Sequence, residues 1–406
     1  MKDDVITIEK SQLFPPPRDR RCPFDPPPQA VEWSTESWIK EVSNWDGRPA
    51  WFITGYEECR ALLADERTSV DPRNPGYPEK SAAFAAGIGQ DRNLRTLDPP
   101  EHGVQKRVLV RDFTAKRVEE LRPSIQQKID SVIDQLLAKG PPADFHEGFS
   151  LPVPTLVICE LLGVPHSDSP FFSDRSSKMI SCLSSPSEVI AAGRDLYDYL
   201  ERLVEKKRND QSNDLLSRLA VELNEGRLTR KDTVELARFI LIAGHETTAN
   251  MISLSTLALL RHPDQLELMK SDSALVPNAV DELLRYLSIS HSGRRRVATQ
   301  DIEFKGVTIK AGDGLIIANH IADRDERVFP NAGRLDILRP NARANIAFGY
   351  GVHQCLGQLL SRVELQIVHQ TIWNRIPTLA LAVPFERIVF REDGPVYALD
   401  ALPVTW

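Results

Sequence analysis

The chain has 406 residues, 41% of them hydrophobic, which is enough apolar surface to bury a large core without disulfides or a structural metal. Its net charge of -7 at pH 7 lacks the concentrated Lys and Arg that phosphate binding needs, so nucleic acid is not an expected partner. The five cysteines (Cys22, Cys59, Cys159, Cys182 and Cys355) are odd in number and have no CxxC spacing, which argues against a disulfide framework or a zinc cluster and fits a reducing cytoplasm.

Residues 1–30 mix charges with repeated prolines. They offer neither the apolar core of a signal peptide nor a membrane anchor, and a soluble protein is expected. From Phe14 to Pro28 the prolines predict an extended arm, because each fixes φ and removes a donor. The stretch AWFITG around Trp51 has strand composition, and EECRALLAD after it has helical spacing. Asp71 to Asp98, rich in Pro, Gly, Asn and charge, reads as a long loop, either a binding lid or a plain surface loop.

Between Gly103 and Gly226 apolar residues recur at helical intervals, interrupted at Pro123, Gly140, Pro152, Gly163 and the segment SCLSSPSE. One long helix is predicted from Thr233 to Leu260, between RLTRKDT and the His262-Pro263 stop. At about 1.5 Å per residue it is roughly 40 Å long. Its apolar content predicts burial on most sides, while His245, Glu246 and Asn250 in its middle argue against a membrane span. A short helix follows from Pro277 to Leu287, then small antiparallel strands in DIEFKGVTIKAGDGLIIAN, a loop region from Asp323 to Asn345, a helix from Leu356 to Ile376, and an alternating tail. The expected class is mainly α with a smaller β region (α+β), in one domain over residues 1–406 with no linker and no internal repeat.

Four segments carry chemistry. The first is Phe348-Gly-Tyr-Gly-Val-His-Gln-Cys355-Leu-Gly357, which sets a cysteine where a helix begins. Backbone N–H groups and the positive helix end favour a thiolate there, the form that ligates metal. Gly351 and Gly357 are expected to bend the backbone and let it lie against a flat cofactor. The second is Ala243-Gly244-His245-Glu246-Thr247-Thr248, an acid followed by a hydroxyl in a buried helix. Such a pair is able to relay protons, and Gly244 is expected to permit a local opening of the helix. With Ala249 in the place of the second histidine, a zinc-protease HExxH is excluded. The third, Glu282-Leu-Leu-Arg285, puts opposite charges on one helical face, which taken alone is most often a surface pair. The fourth is Asp98-Pro-Pro-Glu-His102, with Lys106 and Arg107 following.

Taken together these segments resemble the cytochrome P-450 superfamily, whose signature FGxGxHxCxG is matched at every fixed position. The resemblance runs in family order over nearly the whole chain, and details such as FDPPP, LPVPTLVICELLGVP and VHQCLGQ resemble soluble actinomycete natural-product hydroxylases. It implies a triangular single-domain helical fold around buried haem b (iron protoporphyrin IX). Cys355 would be the axial iron ligand, Phe348 would pack beside its sulfur, and Gly349, Gly351, Gly357, Ala243 and Gly244 would lie against the haem. His102, Lys106, Arg296 and His353 would bind propionates, with Lys106 standing where arginine is usual. Arg294 and Arg295 are expected to be solvated.

The resemblance further implies that Glu282, Arg285 and Arg334 form a structural triad and that Glu246 and Thr247 deliver protons to dioxygen. Ile240, Ala243, Ile289, Ser290, His291 and Val396, with loops in 71–96 and 165–198, would shape the pocket for a medium or large, mostly apolar substrate. The implied activity is haem-thiolate monooxygenation, a hydroxylation or epoxidation of a secondary-metabolite-type molecule. Electrons would come from a separate ferredoxin and ferredoxin reductase, docking on a basic patch of Lys106, Arg107, Arg343 and Arg362. A cytoplasmic monomer is expected. Rival readings keep the fold as a nitric oxide reductase or peroxygenase, against which Glu246-Thr247 argues, or make it a non-catalytic haem sensor.

Overall fold

The computed structural model describes residues 13–82, 85, 92–180, 184–392, 394 and 396–406. Residues 1–12 ahead of the expected arm, residues 83, 84 and 86–91 of the expected loop, and Ser181–Leu183 of the SCLSSPSE segment lie outside them. The described residues fall into two compact units, neither of them a continuous stretch of chain. One draws on Met1–Asp98, Ser290–Arg334 and Ile346–Gln354, and the other on Pro99–Ile289, Leu335–Asn345 and Cys355–Trp406.

The first unit is built on a five-stranded sheet in the order Ile39–Ser43, Pro49–Ile53, Gly314–Ile317, Arg294–Ala298, Thr68–Ser69. Alternate residues of the inner strands enter two separate apolar clusters. Ile53, Leu315 and Ile317 join Tyr56, Leu62 and Phe329 on one face, while Phe52 and Ile316 join Phe14, Trp33 and Ile321 on the other. Burial of both faces explains why Leu315-Ile316-Ile317 is a continuous apolar run rather than an alternating one. The strands expected in the DIEFKG segment form a hairpin, Ile302–Phe304 with Val307–Ile309, whose turn holds Lys305 and Gly306 at φ 49 and 81. Two successive positive φ values are what a tight antiparallel hairpin requires. Gly314–Ile317 departs from the all-antiparallel expectation by pairing in parallel with Pro49–Ile53, a distant partner that local pattern does not reveal.

The second unit is mainly helical, with a three-stranded sheet of Ala143–Asp144, Pro403–Thr405 and Ala380–Leu381 and a two-stranded pairing of Phe390–Arg391 with Ala398–Leu399. Its central helix runs from Arg230 to Arg261, 32 residues or roughly 48 Å at 1.5 Å each. It starts three residues earlier than the periodicity predicts because Thr229 caps it, accepting the Asp232 N–H at 3.1 Å through Oγ1. The helices Pro152–Leu162, Pro186–Asn209 and Gln358–Arg375 pack against it, and Gln358–Arg375 also packs on Ala115–Lys139. Among the described residues no helix is long and apolar enough to cross a membrane.

Candidate functional site

In the second unit Cys355 lies three residues ahead of the helix Gln358–Arg375, whose N-cap is Gly357. Its thiol is exposed, whereas Cys59 and Cys159 are buried and burial pushes their thiols up, Cys159 to about 12. Lys106 and Arg362 stand within electrostatic reach of Cys355 and favour its thiolate. His102 and Lys106 occupy successive turns of the helix Glu101–Leu109, His102 buried and Lys106 half-buried. Gly357 has an ordinary φ of -79, so it is not the sharp bend expected, but a Cβ there would meet nothing within 4 Å. The backbone therefore borders open space beside the thiol.

In the same unit the central helix is buried along most of its length, yet Ala243 is exposed in its middle, with Phe239 and Thr247 half-buried one turn to either side. Contrary to the expected local opening, the helix is continuous through Gly244. The glycine serves close packing instead, since a Cβ would sit 2.9 Å from Ile158 Cδ1 of the neighbouring helix. Thr247 Oγ1 donates to Ala243 O at 2.7 Å. Glu246 is buried and its Oε2 has no hydrogen-bond partner among the described residues. Burial raises its carboxyl above the usual range, against the pull of the Arg391 guanidinium and a hydrogen bond from Asn250. Burial drives His245 down to about 4, so the ring is neutral at pH 7 and its 3.9 Å approach to Glu246 is not an ion pair.

The Glu282-Arg285 pair is no surface feature. Both side chains are fully buried, with Arg285 Nε and Nη2 each donating to Glu282 at 2.7 Å. The arginine that joins them is Arg339 rather than the expected Arg334. Its Nε lies 3.0 and 3.1 Å from the two Glu282 oxygens. The turn at Asp336 accounts for the difference: its N–H donates to Glu282 Oε1 at 3.0 Å and brings the next turn of chain over the carboxylate. Arg334 belongs to the first unit, where its N–H closes a turn on Asn331 O at 2.9 Å.

The first unit carries the other sequence-predicted residues. Gly349 and Gly351 hold φ 76 and 75, and a Cβ on Gly351 would come within 2.8 Å of Leu63 O, so this is where the loop needs glycine. Phe348 and His353 are half-buried. Arg296 is buried, its guanidinium pushed down to about 10 by desolvation, and no carboxylate pairs with it among the described residues. Arg294 and Arg295 are not solvated as expected. Arg294 Nη2 donates to Ala347 O at 3.1 Å, tying the strand to the glycine loop, and Arg295 is buried against the Phe14 ring at 5.1 Å.

Of the expected pocket residues, Ile240 and Ala243 lie a turn apart on the central helix, and the Tyr397 N–H bonds Ile289 O at 2.9 Å, bringing Val396 beside Ile289. Ser290 and His291 belong to the first unit, His291 buried.

The Cytochrome P450 family model matches residues 184–375. "Cytochrome P450-SU2" of Streptomyces griseolus is 44% identical over 403 residues, covering 99% of this chain and 98% of that one. Crystal structures agree: GfsF, a cytochrome P450 of Streptomyces halstedii, superposes with a TM-score of 0.93 at 44% identity over 97% of this chain and 100% of that chain. The mycinamicin VIII C21 methyl hydroxylase MycCI of Micromonospora griseorubida, bound to mycinamicin VIII, gives 0.89 at 40% identity over 97% and 100%. The chain belongs to the cytochrome P450 family.

This P450 is accordingly an oxidoreductase of the monooxygenase class with haem as its cofactor. Its residues fit that group. Within the second unit, an exposed thiol with Lys106 and Arg362 in electrostatic reach, open space at Gly357 and an exposed alanine in an otherwise buried helix are the features a flat, anionic iron porphyrin would use. Sequence reasoning missed the second network of the P450 scaffold. Asp281 accepts from Arg362 Nε at 2.7 Å and Arg343 Nη1 at 3.2 Å, linking the Glu282 helix to the helix after Cys355. Arg362 is therefore buried and committed to Asp281, not part of an exposed basic patch as expected. A hydrophobic position next to Glu282 occupied by an acid is the only signal the sequence offered.

Proposed function

We propose that this P450 inserts one oxygen atom of dioxygen into a C–H bond of a mostly apolar, secondary-metabolite-type molecule, and that Cys355 would hold the iron of its haem b. The single observation that carries the reading is the pairing, on one buried helix, of a buried Glu246 carboxyl whose Oε2 has no hydrogen-bond partner among the described residues with a Thr247 hydroxyl beside the exposed Ala243. Haem, when bound, supplies the redox-active iron on which dioxygen is activated. Within the second unit, His102 and Lys106 supply the hydrogen-bonding and positive groups that suit its propionates. Gly357, where a Cβ would meet nothing within 4 Å, leaves room for it beside Cys355.

The chain's own chemistry is proton delivery. Thr247 Oγ1 is anchored on Ala243 O, which fixes the hydroxyl and leaves its lone pairs to accept a proton and hold a donor toward the open side. Glu246, favoured in its neutral form by burial, stores the proton that Thr247 passes on. Ile240, Ala243, Ile289 and Val396, all of the second unit, position the substrate and exclude water. A relative that hydroxylates a methyl group of mycinamicin VIII supports the substrate class.

Electrons come from a separate ferredoxin and its reductase, attracted by Lys106, Arg107 and Arg343, and the protein acts as a cytoplasmic monomer. The deciding experiment is spectral. Purified protein reduced under carbon monoxide is expected to give the red-shifted Soret band of thiolate ligation, and to lose it in Cys355→Ser; a chain that binds no haem, or shows the same band without Cys355, overturns the reading.

A further inference from the structure

Glu246 is buried in the central helix, so a proton it gives up must be replaced through the protein. Several buried polar atoms on the central helix and on the turn packed against it are unusual in one respect. Glu246 Oε2, both ring nitrogens of His245, Asn250 Oδ1 and Ser150 Oγ are all buried without a hydrogen-bond partner among the described residues. Ser150 ends the π-helical turn His146–Ser150, which packs on the central helix where His146 Nδ1 meets Ser253 Oγ at 2.9 Å. Buried polar atoms are satisfied in native proteins by partners or by ordered water, and a polar, roomy cluster of them is where water is held.

Arg391 is the charged group that acts on Glu246. It pairs with Ala398 across two short strands, the second of which packs on the central helix. Its Nη2 donates to Leu399 O at 3.2 Å, and its Nε lies 3.1 Å from Asp400 Oδ1, close enough for an ion pair though misaligned for a hydrogen bond. The Arg391 side chain is 30% exposed and that of Asp400 50%, so the pair reaches solvent. The same guanidinium acts inward. It opposes the effect of burial on Glu246 and adds to it on His146, where Asp144 and Asp400 pull the other way.

We propose that Arg391 is a positioning residue of the oxygen-activating site, forming with Asp400 the solvent mouth of a hydrated passage along which Glu246 recovers its proton. Asp400 takes a proton from solvent, ordered water held by Arg391 and Ser150 carries it inward, and Glu246 receives it as its own proton leaves for Thr247. Titratable groups on the central helix and on elements packed against it do not compete. His245 on its own helix is neutral, and His146 is held toward neutrality by burial. On the helix Pro152–Leu162, Cys159 stays a thiol and Glu160 is bonded to Ser124. On Gln358–Arg375, Glu364 and His369 are buried, His369 against Ser255. The proposal rests on the reading of Glu246 as the proton donor.

The test is infrared titration of the holoenzyme, with the Glu246 carboxyl stretch identified by its disappearance in Glu246→Gln. Arg391→Gln is expected to raise the midpoint of that band by about one pH unit, a tenfold change in proton affinity. Arg391→Lys is expected to restore it. Asp400→Asn, which leaves the arginine in place, is expected to lower the midpoint and increase the solvent isotope effect on turnover. An unshifted band in Arg391→Gln together with an unchanged isotope effect in Asp400→Asn overturns the passage. Full coupling of reductant to product in Glu246→Gln would instead overturn the donor role itself, whatever Arg391 does.

Discussion

Arg362 donates through Nε to Asp281 at 2.7 Å with both side chains largely buried, and this one bond ties the helix that follows Cys355 to the helix that carries Glu282. Burial pushes the guanidinium down, and the hydrogen bond and charge of Asp281 push it back. Truncating Arg362 leaves Asp281 with only the more exposed Arg343, at 3.2 Å. Arg362→Ala is expected to cost about 3 kcal/mol of stability, the loss typical of breaking a buried pair. Urea unfolding of the holoenzyme, followed by the Soret band, reads it directly; a loss below 1 kcal/mol would show that Arg343 suffices.

Glu282 presents a sharper case, because its two oxygens accept from Arg285, Arg339 and the Asp336 N–H. Removing Arg339 strands part of a fully buried carboxylate, and Arg339→Ala is expected to lower stability by about 3–5 kcal/mol. Arg334→Ala, which breaks no bond to Glu282 of the kind Arg339 makes, is expected to cost much less. Thermal melts of the two variants side by side test the assignment, and equal losses would return Arg334 to the triad.

That reassignment marks how far the sequence carries. The cysteine loop was legible because its fixed residues do local work: Gly349 and Gly351 hold positive φ, and Cys355 precedes a helix by three residues. The central helix was legible from its cap and its stop. Which of two arginines five residues apart reaches Glu282 depends on a turn whose hydrogen bonds are made to a distant helix, and no local pattern encodes that. The run Arg294-Arg295-Arg296 reads as solvent-facing charge, yet its strand lies inside a sheet with both faces covered, so the backbone decides the burial and the side chains find carbonyls and a ring. Asp281 and Arg362 lie 81 positions apart, beyond any helical periodicity.

A pH dependence follows from Glu364, fully buried on the helix after Cys355 and pushed up to about 8 by desolvation alone. Unfolded, the group returns to its ordinary value near 4.5, so between the two values the folded chain holds a proton that the unfolded chain has lost. This group's contribution to stability is therefore complete below pH 4.5 and declines as pH rises from there to about 8. Glu364→Gln keeps the neutral form at every pH, and is expected to stabilise the protein relative to the parent by about 2 kcal/mol or more at pH 8 while leaving pH 5 nearly unchanged. Parallel urea titrations at both pH values check the sign.

Thr247 tests the chemistry rather than the scaffold. Its hydroxyl is held on Ala243 O beside the open middle of the central helix, and Glu246 next to it is kept in the proton-bearing form by burial. Thr247→Ala removes the hydroxyl without disturbing the helix, since alanine is the better helix former and the lost bond is to a carbonyl that keeps its backbone partner. Reductant consumption is expected to continue while product per electron pair falls by about tenfold or more, with the difference released as peroxide. Thr247→Ser keeps the hydroxyl with freer rotation and is expected to recover most of the coupling. Measuring product, peroxide and reductant together separates a lost proton relay from a lost binding contact, because the latter would raise KM and leave the ratio of product to reductant intact.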